Sequence, residues 1–280
     1  MIIAEALNYG MKALSVSGLS QSKLEAKLLI KNQLDFNDED FIKSLNHYIS
    51  LKDFESYKLK ILRRMNHEPI AHITGQKDFW KNTFSVSKDT LIPRPDSEAL
   101  IESVLKYLPQ DEDFNFLDLG TGSGCLIISI LEEFKNSQGT GIDISKNAIS
   151  IANKNKKNIN NDLNLSFIVH DFFTYDTKGF DIIICNPPYV PKNKLNEITE
   201  EVFNFEPHLA LFPKKDTKDC YEKIISNIKL TNNKNCYVFF EIDYRDNVLV
   251  SNILKDNDFS VLAAENDLTN RPRCIVAKMN

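Results

Sequence analysis

Asn186-Pro187-Pro188-Tyr189 is a tetrapeptide whose residue types suit one task, holding a planar nitrogen and aiming it. It follows Phe180-Asp181-Ile182-Ile183-Ile184-Cys185, a run apolar except for Asp181, which reads as a buried strand. The Asn carboxamide offers an acceptor oxygen. The prolines fix φ and remove donors, so a carbonyl beside them stays free of any ladder and can accept a second N–H. The aromatic ring can stack on the plane. Chemistry on an amide or aromatic amine nitrogen is what this turn implies.

A second constellation lies at Phe116-Leu117-Asp118-Leu119-Gly120-Thr121-Gly122-Ser123-Gly124, where an apolar strand runs into a glycine-rich turn. Such turns let backbone approach a ligand at the carboxyl edge of a sheet. The spacing is G-x-G-x-G. A dinucleotide fingerprint would place glycine at 125, where this chain has Cys125. S-adenosylmethionine suits the turn better: it has no pyrophosphate, and Asp118 can supply negative charge near its ammonium and sulfonium. Asp143 ends the next strand, where a carboxylate can accept both ribose hydroxyls. Asp171 follows the third, placed for the adenine amine, and Phe172 can pack on the ring. Singly, Asp143 and Asp171 read equally well as caps or strand ends, and Phe172 as core. Their order at successive strand ends, with Asn186–Tyr189 at the fourth, gives them a joint meaning.

The elements that must position these residues form an α/β domain. Asn115–Leu119, Gln138–Asp143, Leu165–Val169, Phe180–Cys185 and Cys236–Ile242 are strand-like. Helical stretches such as Cys125–Phe134 and Lys146–Lys156 lie between them. Buried parallel strands with crossover helices make a doubly wound, Rossmann-like sheet. Phe259–Ala263 and Cys274–Lys278 predict a terminal antiparallel hairpin. Residues 1–66 predict a small helical bundle, from the stripes Ile3, Leu7, Met11, Leu14 and Leu51, Phe54, Tyr57, Ile61, with Ser22-Lys23-Leu24-Glu25 as a capping box. Residues 67–90 read as a β-hairpin linker with Ala71–Thr74 as its first strand. Residues 91–280 form the catalytic domain, entered through Ile92-Pro93-Arg94-Pro95-Asp96, with Asp96 or Ser97 capping a helix to about Leu108.

The chain has 280 residues, 42% of them hydrophobic, and a net charge of −5. The acidic balance argues against a duplex-binding protein with a broad basic face and against stable nucleic-acid binding. No apolar run has the length of a membrane span, and the first residues lack a basic segment followed by an apolar one, so a cytoplasmic protein is expected. Five scattered cysteines without C-x-x-C predict free thiols and no metal site.

On these residues the chain resembles the class I S-adenosylmethionine-dependent methyltransferases, and more narrowly the HemK/PrmC family of peptide chain release factor glutamine N5-methyltransferases. Glu68–Gly75 with Phe79 looks like the family's inter-domain segment, and Ile92–Glu98 like its I-P-R-P-D-T-E motif, with Ser97 for Thr. Asp118–Gly124, Asp143, Asp171–Phe173 and Asn186–Tyr189 follow in family order, then Glu206-Pro207, Ala210-Leu211, Asp267-Leu268 and Arg273. Departures are Phe172 for Trp, Phe212–Asp219 for a Gly-rich D-G-L stretch, Asp243 for Gly and Asp246 for Gln.

The resemblance implies a class I fold behind an N-terminal helical substrate-recognition domain. It also implies a monomer, S-adenosylmethionine as cofactor, S-adenosylhomocysteine as product and the Gly-Gly-Gln loop of class I release factors as substrate. Asn186, Pro187 and Tyr189 would then carry catalysis, with Pro188 completing the substrate turn. Gly120, Thr121, Gly122, Ser123, Gly124, Asp143, Asp171, Phe172 and Asn186 would hold the cofactor. Three other readings stay open: a ribosomal-protein glutamine as acceptor, adenine N6 or guanine N2 of a nucleic acid, and a silent cofactor-binding scaffold. His170 reads as a strand-end residue, and Arg63-Arg64 and Lys214-Lys215 as solvated pairs.

Overall fold

The computed structural model describes residues 1–191, 195, 197–232 and 235–280. The chain divides into two compact units, one of Met1–Gly75 with Thr199–Phe205, the other of Gln76–Ile198 with Glu206–Asn280. No helix among the described residues is long and apolar enough to cross a membrane.

The first unit is helical: α1 (Ile3–Val16), α2 (Ser22–Leu34), α3 (Asp38–Ser44), α4 (Leu51–Met65) and α5 (Ile70–Thr74), joined by α9 (Glu200–Phe205). Its core is built from one stripe of each long helix, including Ala6, Leu14, Leu29, Ile30, Tyr57 and Ile61. Gly10 of α1 has no room for a side chain, because a Cβ there would sit 2.0 Å from the Tyr57 hydroxyl oxygen. Asn37 and Ser50 cap α3 and α4 by accepting from the Asp40 and Asp53 amides.

Three expectations change in this region. The cap of α2 is Gln21, without a side-chain hydrogen bond; Ser22 already lies inside the helix, so the expected capping box does not form. Ala71–Thr74 is helical, because Pro69 opens a turn of helix at φ −55° and Gly75 ends it in the left-handed region. Arg64 is buried, not solvated. Its Nε and Nη2 donate to the two carboxylate oxygens of Glu25 at 2.9 Å each, and Nη1 donates to Glu201 Oε2 at 2.9 Å. A guanidinium can leave water when its fork is paired in this way.

The second unit opens with an antiparallel hairpin, β1 (Gln76–Phe79) and β2 (Asn82–Ser85). Then come α6 (Glu98–Tyr107), β3 (Asn115–Leu119), α7 (Cys125–Glu133), β4 (Gln138–Asp143), α8 (Lys146–Ile159), β5 (Leu165–Val169) and β6 (Ile182–Cys185). After α10 (His208–Leu211) follow α11 (Thr217–Thr231), β7 (Tyr237–Glu241), α12 (Asn247–Asp256), β8 (Phe259–Asn266) and β9 (Pro272–Met279). The large sheet has the order β5-β4-β3-β6-β7-β9-β8. Strands β3 to β7 are parallel, and the β8–β9 hairpin adds antiparallel at the β7 edge. This is the expected doubly wound sheet with its terminal hairpin.

Alternation along the strands feeds two cores. Phe116, Ile182, Ile184 and Phe239 face α6 and α7, while Leu117, Ile183, Val238 and Phe240 face α11 and α12. With both faces covered, the ligand-accessible ground of the sheet is its carboxyl edge. There β3 and β6 lie side by side, Leu119 level with Cys185, so the chain leaves the sheet at Gly120 and at Asn186 from neighbouring strands.

Candidate active site

The turn after β3 is held by the strand beside it. The Gly120 and Thr121 amides both donate to the Ile142 carbonyl, at 2.9 and 2.8 Å. Gly120, Gly122 and Gly124 have φ of 78°, 55° and 78°, a region that glycine enters without steric cost. Gly124 also lacks space: a Cβ there would come within 3.0 Å of Phe167 and 3.3 Å of Ala152. Behind the turn, Thr121 donates its hydroxyl to Asp118 Oδ2 at 2.7 Å, and Asp118 Oδ1 has no partner. Burial pushes the Asp118 carboxyl up to about 7, with the Thr121 hydroxyl opposing and the Asp143 carboxylate adding to the rise. Asp118 does not line the cavity, so a negative charge on it would act on a cationic ligand only through the turn.

Asp143 closes β4 and crosses to the same turn. Its Oδ2 accepts from the Gly122 amide at 3.0 Å and its Oδ1 from the Ser145 amide at 2.8 Å. Burial raises its pKa, while the two amides favour the anion. Each oxygen keeps a second lone pair, the acceptor set a vicinal diol requires. Ile144, next in sequence, is 45% exposed and lines the same cavity. On the other side the Phe172 ring stands over Gly120, 3.7 Å from where a Cβ would be. Two apolar surfaces beside a diol acceptor and a glycine-rich turn fit an adenosyl group.

Asn186 begins the turn after β6. Its Nδ2 donates to the Ser97 hydroxyl at 3.4 Å. Thr217 donates to the Tyr189 carbonyl at 3.1 Å, and the Tyr189 hydroxyl donates to Glu241 Oε1 at 3.1 Å. Burial and the Glu241 carboxylate raise the Tyr189 pKa. The proline-arginine segment braces the rim: the Ile92 amide donates to Glu206 Oε2 at 3.1 Å, and Arg94 pairs with Glu206 Oε1. Asp96 and Asp267 both accept from Arg273, at 3.1 and 3.2 Å.

Gly120, Thr121, Gly122, Ser123, Asp143, Phe172, Asn186 and Pro188 thus line one cavity. Gly124, Asp171, Pro187 and Tyr189 are not among its lining residues. Asp171 is half-buried, accepts from the Phe173 amide at 2.9 Å and lies 3.9 Å from Lys214 Nζ. Sequence reasoning missed Ser97 as Asn186's partner, Ile144, and the wall from Lys88 to Leu91. Ile144 had a signal, an apolar residue directly after a strand-end carboxylate. Lys88–Leu91 had none, since only the fold brings that loop to the sheet edge.

Residues 110–258 match the methyltransferase domain family, and residues 5–75 match the PrmC N-terminal domain family. A bifunctional methyltransferase of Rickettsia bellii is 33% identical over 303 residues, which cover 98% of this chain and 54% of the relative. The chain therefore spans about half the length of the bifunctional relatives it matches. A release factor glutamine methyltransferase of Fusobacterium nucleatum is 32% identical over 277 residues, covering 98% of this chain and 78% of the relative. Among solved structures, a methyltransferase from Pyrococcus furiosus superposes with a TM-score of 0.52 at 15% identity, over 79% of this chain and 96% of that one, which speaks for the fold alone. With a class I methyltransferase sheet, an N-terminal domain of matching type and similarity along nearly its whole length, the chain belongs to the release factor glutamine methyltransferase family.

Proposed function

We propose that this chain methylates the side-chain amide nitrogen of the glutamine in the Gly-Gly-Gln loop of class I peptide chain release factors, and so modulates translation termination. The proposal extends to a monomeric, cytoplasmic enzyme. One observation carries it: Asn186 and Pro188 line the same cavity as the Gly120–Ser123 turn and Asp143. A nitrogen-holding turn thus shares a cavity with an adenosyl-shaped seat.

Bound there, S-adenosylmethionine would supply an electrophilic methyl on a sulfonium and leave as S-adenosylhomocysteine. The residues of the chain do the rest. Asp143 accepts the ribose hydroxyls. Ile144 and Phe172 would flank the base; Asp171, which does not line the cavity, would reach the base amine only by turning toward it. The glycines of the turn would give backbone access at positions 120 and 122. A primary amide nitrogen is a weak nucleophile because its lone pair is delocalised into the carbonyl. Asn186 Oδ1 and the Pro187 carbonyl accept its two N–H bonds, aim the nitrogen along the sulfur–methyl axis and stabilise positive charge that develops on it. Orientation and fixed dipoles are the catalytic terms. As the N–C bond forms and the C–S bond breaks, one amide proton passes to water. Pro188 stiffens the turn, and Tyr189 anchors it and supports the amide plane.

The test is transfer of labelled methyl to purified release factor, beside a copy whose Gly-Gly-Gln glutamine is alanine. Label on the first alone is expected. Label on neither, with cofactor binding intact, would move the acceptor to a ribosomal protein or a nucleic acid.

A further inference from the structure

Glu241 ends β7, and Phe240 before it is level with Cys185 at the end of β6. Its carboxylate therefore stands beside the start of the Asn186 turn. Glu241 is 1% exposed; its Oε1 accepts from the Tyr189 hydroxyl, and its Oε2 has no hydrogen-bond partner. A neutral side chain could accept one tyrosine hydroxyl at far lower desolvation cost. A carboxylate in this place calls for a task that needs an acceptor on both oxygens.

Ser97 supplies that task. Its oxygen accepts from Asn186 Nδ2 at 3.4 Å. To offer a lone pair there, the hydroxyl must send its own proton elsewhere. Burial raises the Glu241 pKa, and the Ser97 hydroxyl is the strongest influence opposing that rise, ahead of the Arg273 guanidinium and the Tyr189 hydroxyl; Asp96 adds to it. Ser97 and Glu241 both reach the Asn186 turn, Ser97 through Asn186 Nδ2 and Glu241 through the Tyr189 hydroxyl, and Glu241 Oε2 is a buried acceptor without a partner.

We propose that Glu241 is a positioning residue for methyl transfer: it draws the Ser97 hydroxyl proton toward itself, so that Ser97 accepts from Asn186 Nδ2 and Asn186 Oδ1 is left to face the acceptor amide, while its Oε1 ties down Tyr189. A glutamine at 241 has one acceptor oxygen where the carboxylate has two; with that oxygen kept on the Tyr189 hydroxyl, its amide nitrogen faces Ser97 as a donor. The Ser97 hydroxyl then turns to donate to Asn186, and the Asn186 carboxamide flips its nitrogen toward the substrate. The inference deepens the function proposed above and rests on it for the identity of the acceptor.

The test compares Glu241→Gln, Ser97→Ala, Ser97→Thr and the Glu241→Gln/Ser97→Ala double variant, with release factor as acceptor. Glu241→Gln and Ser97→Ala should each lower kcat by roughly 10- to 100-fold, with the Kd for S-adenosylmethionine unchanged. Ser97→Thr, which keeps the hydroxyl, should retain kcat, and the double variant should be no worse than the poorer single one. Wild-type kcat in Glu241→Gln, or losses that multiply, would overturn the idea. Should Glu241→Gln fail to fold, Ser97→Ala against Ser97→Thr decides: equal activities overturn it. The side-chain amide resonance of Asn186, assigned through Asn186→Ala, gives a readout free of any acceptor. A shift in Ser97→Ala and Glu241→Gln upholds the positioning role even where wild-type protein leaves release factor unlabelled, which would sink the substrate reading only; an unmoved resonance sinks the positioning role.

Discussion

The Asn186 carboxamide donates to the hydroxyl of Ser97, a residue 89 positions earlier in the chain. One end of the amide is thereby taken, and the other is left as an acceptor. Replacing Asn186 with alanine removes that acceptor and should lower kcat by roughly 10²- to 10³-fold, as loss of a fixed charge-stabilising dipole does. The Gly120–Ser123 turn and Asp143 stay in place, so calorimetric affinity for S-adenosylmethionine should remain largely intact, falling only by the share that Asn186 itself contributes. Activity close to wild type would remove Asn186 from the chemistry.

Asp143 makes the opposite case. Its two oxygens bind the Gly122 and Ser145 amides and would also take the ribose hydroxyls. Asp143→Ala should weaken cofactor binding by roughly 10- to 100-fold, the cost of losing hydrogen bonds to a charged group. At saturating cofactor kcat should recover. A kcat that stays low at saturation would mean that Asp143 does more than bind.

Asp118 predicts a pH dependence of stability in the ligand-free protein. Its folded pKa of about 7 lies above the ordinary 3.8. Between about pH 4 and 7 the unfolded chain has released this proton and the folded chain has kept it. The folded state then binds more protons, and stability falls as pH rises through that window, by on the order of 4 kcal/mol in all. Asp143 and Glu241 are shifted the same way, so the variant isolates one group. Urea midpoints of Asp118→Asn should vary less with pH than those of wild type. Parallel curves would show that Asp118 keeps an ordinary pKa in the fold.

Two arginines near the end of the chain should differ in worth. Arg273, with 12% of its side chain exposed, bridges Asp96 and the buried Asp267, whose carboxyl is held down to about 2 by the Thr269 hydroxyl first and by Arg273 among its other partners. Arg273→Ala leaves Asp267 Oδ2 without its partner while Oδ1 keeps the Thr269 and Arg271 donors, and should cost about 1–3 kcal/mol. Arg245 pairs with Asp243 and Glu197 at the surface, 37% exposed, and Arg245→Ala should cost under about 1 kcal/mol. Equal denaturant midpoints for the two variants would contradict this ranking.

The sheet was legible because its signals are local. Ile182–Cys185 is apolar at every position, as a strand covered on both faces must be, and the glycine turn follows a strand apolar at Phe116, Leu117 and Leu119. The turns at Gly120 and Asn186 could be read as sites since each carries its chemistry within a few adjacent residues. Ser97 and Glu241 could not. Each looks ordinary in sequence, and only pairing β6 with β7 and folding the proline-arginine segment over the sheet edge brings them to Asn186 and Tyr189. Ser22 failed for the opposite reason: its capping-box pattern is present, but the chain enters the helix one residue early. Arg64 looked solvated because its partners Glu25 and Glu201 are 39 and 137 positions away.

Gly120 and Asn186 leave the sheet from adjacent strands paired in fixed register. The strand ends they leave, Leu119 and Cys185, are one strand separation apart, about 4.8 Å, set by main-chain hydrogen bonds and not by side chains. If the two turns hold the methyl donor and the acceptor nitrogen as proposed, the backbone gears the strand ends that carry them to each other. Recognition could then drift in lineages, or be redesigned at the bench, by rewriting the surrounding loops, while the spacing of the two strand ends would be inherited unchanged.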